Sequence, residues 1–484
     1  MYPAARLAGA TLLAVLASHA LPAANPPSPA TPNVVLILAD DLGWADLGCY
    51  GADLHETPRI DAFAREGLRF TQAYAMSVCS PTRAMLLTGR HAARVGITIW
   101  SEGSLEKNTS RRLLQAESRH DLPPAETTLA TQLRGAGYLT ALVGKWHLGD
   151  ANHSPETHGF DVNIGGTHWG APATYWWPYS GAGRFGAQFR YVPHLGFGRP
   201  GEYLTDRLTD EALRVIDQAG DRPFFLYLAH HAPHTPVEAK AEDVRYFEGK
   251  LRPGMRHRNA TYAAMVRSLD QSVGRVLDQL RARGLEDRTI VIFTSDNGGQ
   301  MNIDPPLRAG DPPTRNTPLR SGKGSVYEGG VRVPLIVRWP GVTPRGADSS
   351  APVMLGDLFP TLLRAAGRPV PGNIDGLDLT ALLRDPAARL GRDALFFHYP
   401  HYYETTTPVG AVRAGDWKLL EYFEDGRVEL YDLASDPGET RDLAATEPAR
   451  AAALRERLVR WRTEVGARMP TVNPSPRPAK KSGR

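Results

Sequence analysis

Five short apolar runs, none interrupted by a charge, constrain the fold of this chain more than any other feature. The first is Asn33-Val-Val-Leu-Ile-Leu-Ala39, and similar runs recur at Tyr138–Val143, Pro223–Leu228, Thr289–Thr294 and Val333–Val337. A strand with one wet face alternates apolar and polar residues. A continuous run implies cover on both faces, the situation of parallel strands between helical layers. The intervening segments carry helix signals: Thr57-Pro58 supplies an N-cap and a first-turn proline, and Gly67 supplies a stop. Further helices are expected over Thr127–Arg134, Thr205–Gln218, Tyr262–Arg281 and Asp357–Ala366. Strands alternating with helices predict an α/β fold with a mostly parallel central sheet sandwiched by helices.

The pattern changes after about residue 390. Short strand-like pieces follow at Ala411–Arg413, Trp417–Tyr422 and Val428–Asp432, with the turn Glu424-Asp425-Gly426 between two of them, and then a charged helix from Glu447 to Val465. We therefore expect a body over residues 33–389, a smaller α+β subdomain with an antiparallel sheet over 390–470, and a basic, disordered tail over 471–484. The formal net charge is +4, and Arg477, Lys480, Lys481 and Arg484 of that tail account for the whole excess. The body is near neutral and offers no basic field for nucleic acid. At the other end, Arg6 precedes the apolar run Leu7–Leu21, followed by small residues and Pro26-Pro27. Residues 1–24 resemble a signal peptide, with 25–32 as a linker. The run is short and Ala-rich for a membrane span, and no other apolar stretch approaches spanning length. An exported protein is expected, and the Ala/Arg/Pro-rich composition points to a bacterial periplasm or the extracellular medium. Cys49 and Cys79 are too few for a disulfide scaffold; they could form one bridge, or at least one could be kept for its chemistry.

The residues just after each expected strand are informative. The first run leads into Asp40-Asp41, the second into Lys145 and His147, the third into His230, His231 and His234, the fourth into Asp296-Asn297. Singly, each has a plain structural explanation: an acidic pair after a strand is a common turn or N-cap, and a histidine there is commonly a satisfied structural group. Open α/β sheets, however, bind ligands outside the carboxyl ends of their strands, and four such ends carry polar groups here. Asp40, Asp41, Asp296 and Asn297 would make an oxygen-only site of the kind calcium or magnesium prefers. Lysines, an arginine and histidines around such an ion suit a phosphate or sulfate ester.

The segment from Ser77 to Arg90 reads Ser-Val-Cys-Ser-Pro-Thr-Arg-Ala-Met-Leu-Leu-Thr-Gly-Arg. Ser80 and Pro81 look like N-cap and first-turn residues, and Gly89 ends the helix. Cys79 then sits at the positive end of a helix dipole, with Arg83 one turn further on. A small buried cysteine before an ordinary helix fits equally well on these grounds.

Cys79-Ser80-Pro81-Thr82-Arg83 matches the Cys-x-Pro-x-Arg signature of the type I sulfatases, and the surrounding sequence resembles that family throughout. Ala39–Gly48 resembles its opening metal loop and Gly144-Lys145-Trp146-His147-Leu148-Gly149 its second catalytic loop. Ala232-Pro233-His234-Thr235-Pro236 resembles the third, Ser295-Asp296-Asn297-Gly298 the second metal pair, and Gly322-Lys323-Gly324 with Glu328–Pro334 the last lysine loop. The motifs occur in family order over residues 33–340, and Leu430-Tyr431-Asp432-Leu433 resembles part of the family's small domain.

The resemblance implies an alkaline-phosphatase-like fold and a sulfuric ester hydrolase. It implies oxidation of Cys79 to formylglycine by a dedicated maturation enzyme, and one calcium ion, rather than magnesium, held by Asp40, Asp41, Asp296, Asn297 and the modified residue 79. It implies catalytic roles for Arg83, Lys145, His147, His234 and Lys323. A thiol is a poor partner for so hard a cation, which gives the oxidation a chemical purpose. A sulfated carbohydrate is the expected substrate. Trp169, Trp176, Trp177 and Tyr179 could stack on sugar rings or pack a loop against the small domain, and Arg111, Arg112 and Arg119 read as a solvated loop. Two alternatives stay open: a phosphate or phosphonate ester hydrolase on the same scaffold, and a non-catalytic glycan-binding relative, although the lysine and histidine set is complete.

Overall fold

The Asn33–Ala39 run lies in the middle of a nine-stranded sheet, every residue of it buried. In the computed structural model, which describes residues 31–106, 110–183, 186–301 and 311–476, the strand order is Ala347–Ser349, Leu68–Tyr74, Arg332–Arg338, Thr289–Ser295, Asn33–Ala39, Phe224–Ala229, Leu139–Gly144, Val162–Ile164. The short strand Val353–Met354 lies beside Leu68–Tyr74. The signal peptide at 1–24, most of the 25–32 linker and the tail beyond 476 fall outside the described residues.

Side chains alternate across a strand, so the central run feeds two cores. Val34, Leu36 and Leu38 pack with the helices Cys79–Thr88, Leu129–Arg134 and Leu358–Ala365. Val35 and Ile37 pack with Pro58–Glu66, Leu204–Gln218 and Ala260–Ala282 on the opposite face. The expected mostly parallel sheet between helical layers is what forms. The expected helices appear within a few residues of their sequence signals.

Two features differ from expectation. Arg332–Arg338 runs antiparallel to both of its neighbours. One of those neighbours, Leu68–Tyr74, is a strand that the apolar-run criterion misses, because Arg69, Thr71 and Gln72 interrupt it where it nears the sheet edge.

The later region forms a four-stranded antiparallel sheet, Leu395–Tyr399, Val409–Ala414, Trp417–Tyr422 and Val428–Asp432 in that order. The first of these strands also escapes the sequence reading. One face, with Phe397, Tyr399, Ala411 and Leu420, joins the first core of the main sheet. The other, with Val412, Leu419 and Leu430, is covered by Leu454, Leu458 and Trp461 of the helix Pro448–Val465.

A buried ion cluster ties the small sheet to the loop before Arg332–Arg338. Lys418 Nζ lies 2.8 Å from Glu328 Oε1 and 2.9 Å from Glu439 Oε1, with all three side chains inaccessible to solvent. Removing one partner of such a cluster strands the others without compensation. Lys418→Met should therefore cost about 3–5 kcal/mol, measured as a drop in the urea midpoint at unchanged slope.

Candidate active site

The registers of the sheet bring the polar segments to one edge. Ala39 pairs with Ser295, Leu38 with Ala229, and Ala229 in turn with Gly144. The carboxyl ends of four parallel strands are thus level. Backbone bonds carry the alignment one residue further, from Asp40 N to Ala232 O at 3.1 Å, Asp296 N to Ala39 O at 3.1 Å and Lys145 N to Ala229 O at 2.7 Å. The antiparallel Arg332–Arg338 strand begins at this same edge, so the loop before it delivers Lys323 there. Tyr74 pairs with Arg332, and the chain leaves that strand end directly into the Cys79 helix.

Close approach of these segments demands glycine at particular places. A Cβ on Gly144 would stand 1.9 Å from Ala229 O, and one on Gly298 1.8 Å from Gly329 O. The backbone turns sharply at Asp41 and His147, whose φ angles are 63° and 59°. Such left-handed conformations cost a non-glycine residue about 1–3 kcal/mol and persist only where the surroundings hold them. His147 is held by its N–H to Thr167 O at 2.9 Å and by Ser80 Oγ donating to its carbonyl at 2.8 Å. Ser80 is therefore not the helix cap expected from sequence. The helix starts at Cys79 itself, after an extended Val78.

All the residues singled out in the sequence motifs meet here. Arg83, completely buried, donates to Asp296 Oδ2 through Nε at 3.0 Å and Nη2 at 2.8 Å, and to Lys145 O at 2.9 Å. Lys145 Nζ lies 2.6 Å from Asp40 Oδ2, and Lys323 Nζ 2.8 Å from Asp41. Asn297 Nδ2 donates to Asp41 Oδ1 at 2.8 Å, and His234 Nε2 stands 3.5 Å from Asp41 Oδ2. Cys79 Sγ faces His147 Nδ1 at 3.3 Å. Cys79, His147, His234 and Lys323 line the floor of one cleft of about 210 Å³.

Burial and charge set the protonation of this cluster. Burial and the neighbouring Asp296 push the Asp40 carboxyl well up. Asp41 is also buried, yet Lys323 and His234 pull it below the ordinary carboxylate range. Lys323 is raised despite burial because Asp41 faces it. Burial and Lys145 lower His147 to about 4, so its ring is neutral at neutral pH. Two oxygen atoms, Asp40 Oδ1 and Asn297 Oδ1, are buried without a hydrogen-bond partner. Ligand atoms of Asp40, Asp41 and His234 lie within 4.8 Å of one another.

A second buried acid–histidine group, Asp46, His55 and His257, has the same compactness. There the Asp46 carboxylate already accepts from Gly43 N, Tyr262 OH and Thr314 Oγ1, and His257 Nδ1 lies 2.6 Å from Asp53. That group is a hydrogen-bonded core network.

His230 and His231 are buried and do not line the cleft, and His230 Nε2 meets Ser272 Oγ at 2.9 Å. Both cysteines are free, and Cys49 is half-buried rather than fully enclosed. Trp176 and Trp177 pack on the second core rather than on the small sheet, and Tyr175 donates to the carbonyls of His231 and His234. Arg111, Arg112 and Arg119 are exposed. The sequence reading missed Trp100, Glu102, Arg190, Gln300 and Tyr403, which form the cleft wall. They come from separate loops with no common spacing, and Tyr403 is contributed from beside the small sheet.

Comparison with known proteins agrees with this geometry. The family model described as Sulfatase matches residues 32–368, and that of the N-sulphoglucosamine sulphohydrolase C-terminal region matches 322–464. The chain belongs to the sulfatase family. This sulfatase is an enzyme of the sulfuric ester hydrolase class, with the fold of the alkaline phosphatase superfamily, as its motifs lead one to expect. It is 34% identical to a sulfatase of Formosa agariphila, over 86% of this chain and 85% of that one. It is 36% identical to N-acetylgalactosamine-6-sulfatase of Canis lupus familiaris, over 88% and 79%. Among solved structures, Ps i-CgsB in complex with k-i-k-neocarrahexaose superposes with a TM-score of 0.72 at 31% identity, covering 89% of this chain and 92% of that one. No helix among the described residues is long and apolar enough to cross a membrane.

The Arg83 fork offers a direct test of how this sulfatase holds its site. Arg83→Lys keeps the charge but cannot hold Asp296 through two nitrogens while reaching Lys145 O. Loss of these charge-assisted bonds should lower stability by about 1.5–3 kcal/mol, read from thermal and urea unfolding.

Proposed function

We propose that this sulfatase hydrolyses sulfate esters of carbohydrates with a nucleophile made from Cys79, oxidised to formylglycine by a maturation enzyme, beside one calcium ion. The observation that carries the proposal is the position of Cys79. It opens a helix at the floor of the cleft, faces His147 Nδ1, and shares that floor with Lys323 and His234.

The donor set fits a hard cation. Asp40, Asp41, Asp296 and Asn297 offer oxygen, and two of those oxygens, Asp40 Oδ1 and Asn297 Oδ1, lack any other partner. Such an ion would supply positive charge against the ester and favour the ionised form of an oxygen on residue 79. The hydrated aldehyde supplies two hydroxyls on one carbon, one to attack sulfur and one whose later deprotonation releases sulfate.

The chain's own groups account for the rest. Three carboxylates, Asp40, Asp41 and Asp296, are balanced by Arg83, Lys145 and Lys323. A divalent cation added to that balance leaves a positive excess, which an anionic ester complements. In this reading Lys323, which lines the cleft, and Lys145, buried against Asp40, exchange their carboxylate partners for sulfate oxygens. Arg83 is committed to Asp296 and the Lys145 carbonyl, and so positions both. His147, neutral and facing residue 79, accepts a proton there. His234, at the cleft surface, is placed to protonate the departing alcohol oxygen.

The carbohydrate substrate is supported by the names of the relatives and by the cleft wall. Trp100 and Tyr403 offer aromatic faces, while Arg190 and Gln300 offer hydrogen bonds to hydroxyls. Export through the 1–24 segment belongs to the same reading, as does the small subdomain from about residue 390.

Peptide mass spectrometry of the Cys79 segment, on protein made with a sulfatase-maturation enzyme, should find formylglycine at position 79. Unmodified cysteine under those conditions would sink the proposed chemistry. Calcium should bind the folded protein and raise its thermal midpoint, a stabilisation of about 2.7 kcal/mol at a hundredfold excess over Kd. Asp40→Asn should abolish that calcium response in the same melts; an unchanged response would place the ion elsewhere.

A further inference from the structure

The His147 ring is held from three sides. Its backbone is fixed by Thr167 and Ser80, and a Cβ on Gly170 would stand 2.4 Å from its Cε1, so that residue packs flat against the imidazole. In this pose Nδ1 points at residue 79 and Nε2 at Glu102 Oε2, 3.6 Å away. Glu102 Oε2 and His147 Nε2 are both buried and neither meets a hydrogen-bond partner in this pose, so each is left for the other to satisfy on a small closing movement. The other carboxylate oxygen is taken: Arg190 Nη2 donates to Glu102 Oε1 at 3.2 Å. Glu102 belongs to the four-residue helix Ser101–Ser104, outside every motif that marks the site in the sequence.

A neutral imidazole carries its proton on one nitrogen and a lone pair on the other, and the hydrogen bond made by one side selects the state of the other. An ionised carboxylate can only accept. We propose that Glu102 is a positioning residue of the catalytic reaction: it holds the His147 proton on Nε2 and so keeps the Nδ1 lone pair directed at residue 79. This deepens the proposed function and rests on its assignment of the nucleophile to residue 79.

The step it serves is the release of sulfate. His147 Nδ1 takes the proton of the free hydroxyl on residue 79. The electron pair of that O–H bond becomes the second bond of the aldehyde C=O, the carbon–oxygen bond to sulfate breaks, and sulfate departs with that bond's electrons. Nothing is oxidised or reduced. The imidazolium formed in passing lies beside the Glu102 carboxylate, which stabilises it, as a buried carboxylate does in hydrolytic triads. With the other tautomer, an N–H would face residue 79 and the proton would have nowhere to go.

The test compares Glu102→Leu, which cannot accept a hydrogen bond, with Glu102→Gln, whose amide oxygen can. Nitrogen NMR of histidine-labelled protein, with the His147 signals assigned by their loss in His147→Gln, should show the Nε2–H tautomer in the unsubstituted protein. That tautomer should persist in Glu102→Gln and give way in Glu102→Leu. On a sulfated sugar ester, Glu102→Leu should lose roughly ten- to a hundredfold in kcat, with KM falling alongside so that kcat/KM, which reports the attack step, changes little. Rapid acid quenching should then recover residue 79 with sulfate still attached, and Glu102→Gln should restore part of kcat. A proton on Nδ1 in the unsubstituted protein would overturn the proposal. So would a Glu102→Leu enzyme with normal kcat and raised KM, the signature of a substrate contact alone. The tautomer measurement works equally on protein whose Cys79 is unmodified. Absence of formylglycine would therefore overturn the nucleophile assignment without deciding the role of Glu102.

Discussion

The in-register pairing of the Asn33–Ala39 strand with both of its parallel neighbours is the constraint on which the site depends. Because Ala39 stands level with Ser295, and Leu38 with Ala229, the residues just beyond them emerge as a row. A slip of one residue in either pairing would exchange side chains of different size between two close-packed cores, which packing on both faces opposes. The register that satisfies the two hydrophobic cores is thus the register that assembles the carboxylates. Hydrophobic burial, a force without chemical specificity, positions the most specific chemistry in the molecule.

The charged cluster could not hold itself together unaided. Six ionic side chains, Asp40, Asp41, Asp296, Arg83, Lys145 and Lys323, sit at or near zero exposure. Taking such groups from water costs several kcal/mol each, recovered only where every charge finds a partner. The partners come from different strand ends, so each pair also ties two loops together: Arg83 to Asp296, Lys145 to Asp40, Lys323 to Asp41. The Lys418–Glu328–Glu439 cluster extends the same logic to the small sheet and anchors the loop that brings Lys323 in. The small sheet then contributes more than support, since Tyr403 beside it closes one side of the cleft.

Much of the fold, and most of the polar residues that gather at its strand ends, were legible in the residues. Runs such as Val34–Leu38 report burial on both faces, and the strand-end positions of Asp40, Lys145, His234 and Asp296 follow from that architecture. The misses share a physical cause. Leu68–Tyr74 carries Arg69, Thr71 and Gln72 because it lies toward the sheet edge, where its apolar signal is diluted. The antiparallel direction of Arg332–Arg338 depends on how the chain returns, which no local pattern encodes.

By itself, then, the sequence determined the α/β layering, the chemistry of the donor set and the position of Cys79 at a helix start, since these depend on local periodicity and residue type. Only the tertiary structure decided that Glu102 faces Nε2 of His147, that Arg83 is spent on Asp296, and that Tyr403 reaches the cleft. Those contacts join loops far apart in the chain, and their distances come from packing across the whole molecule rather than from any spacing along it.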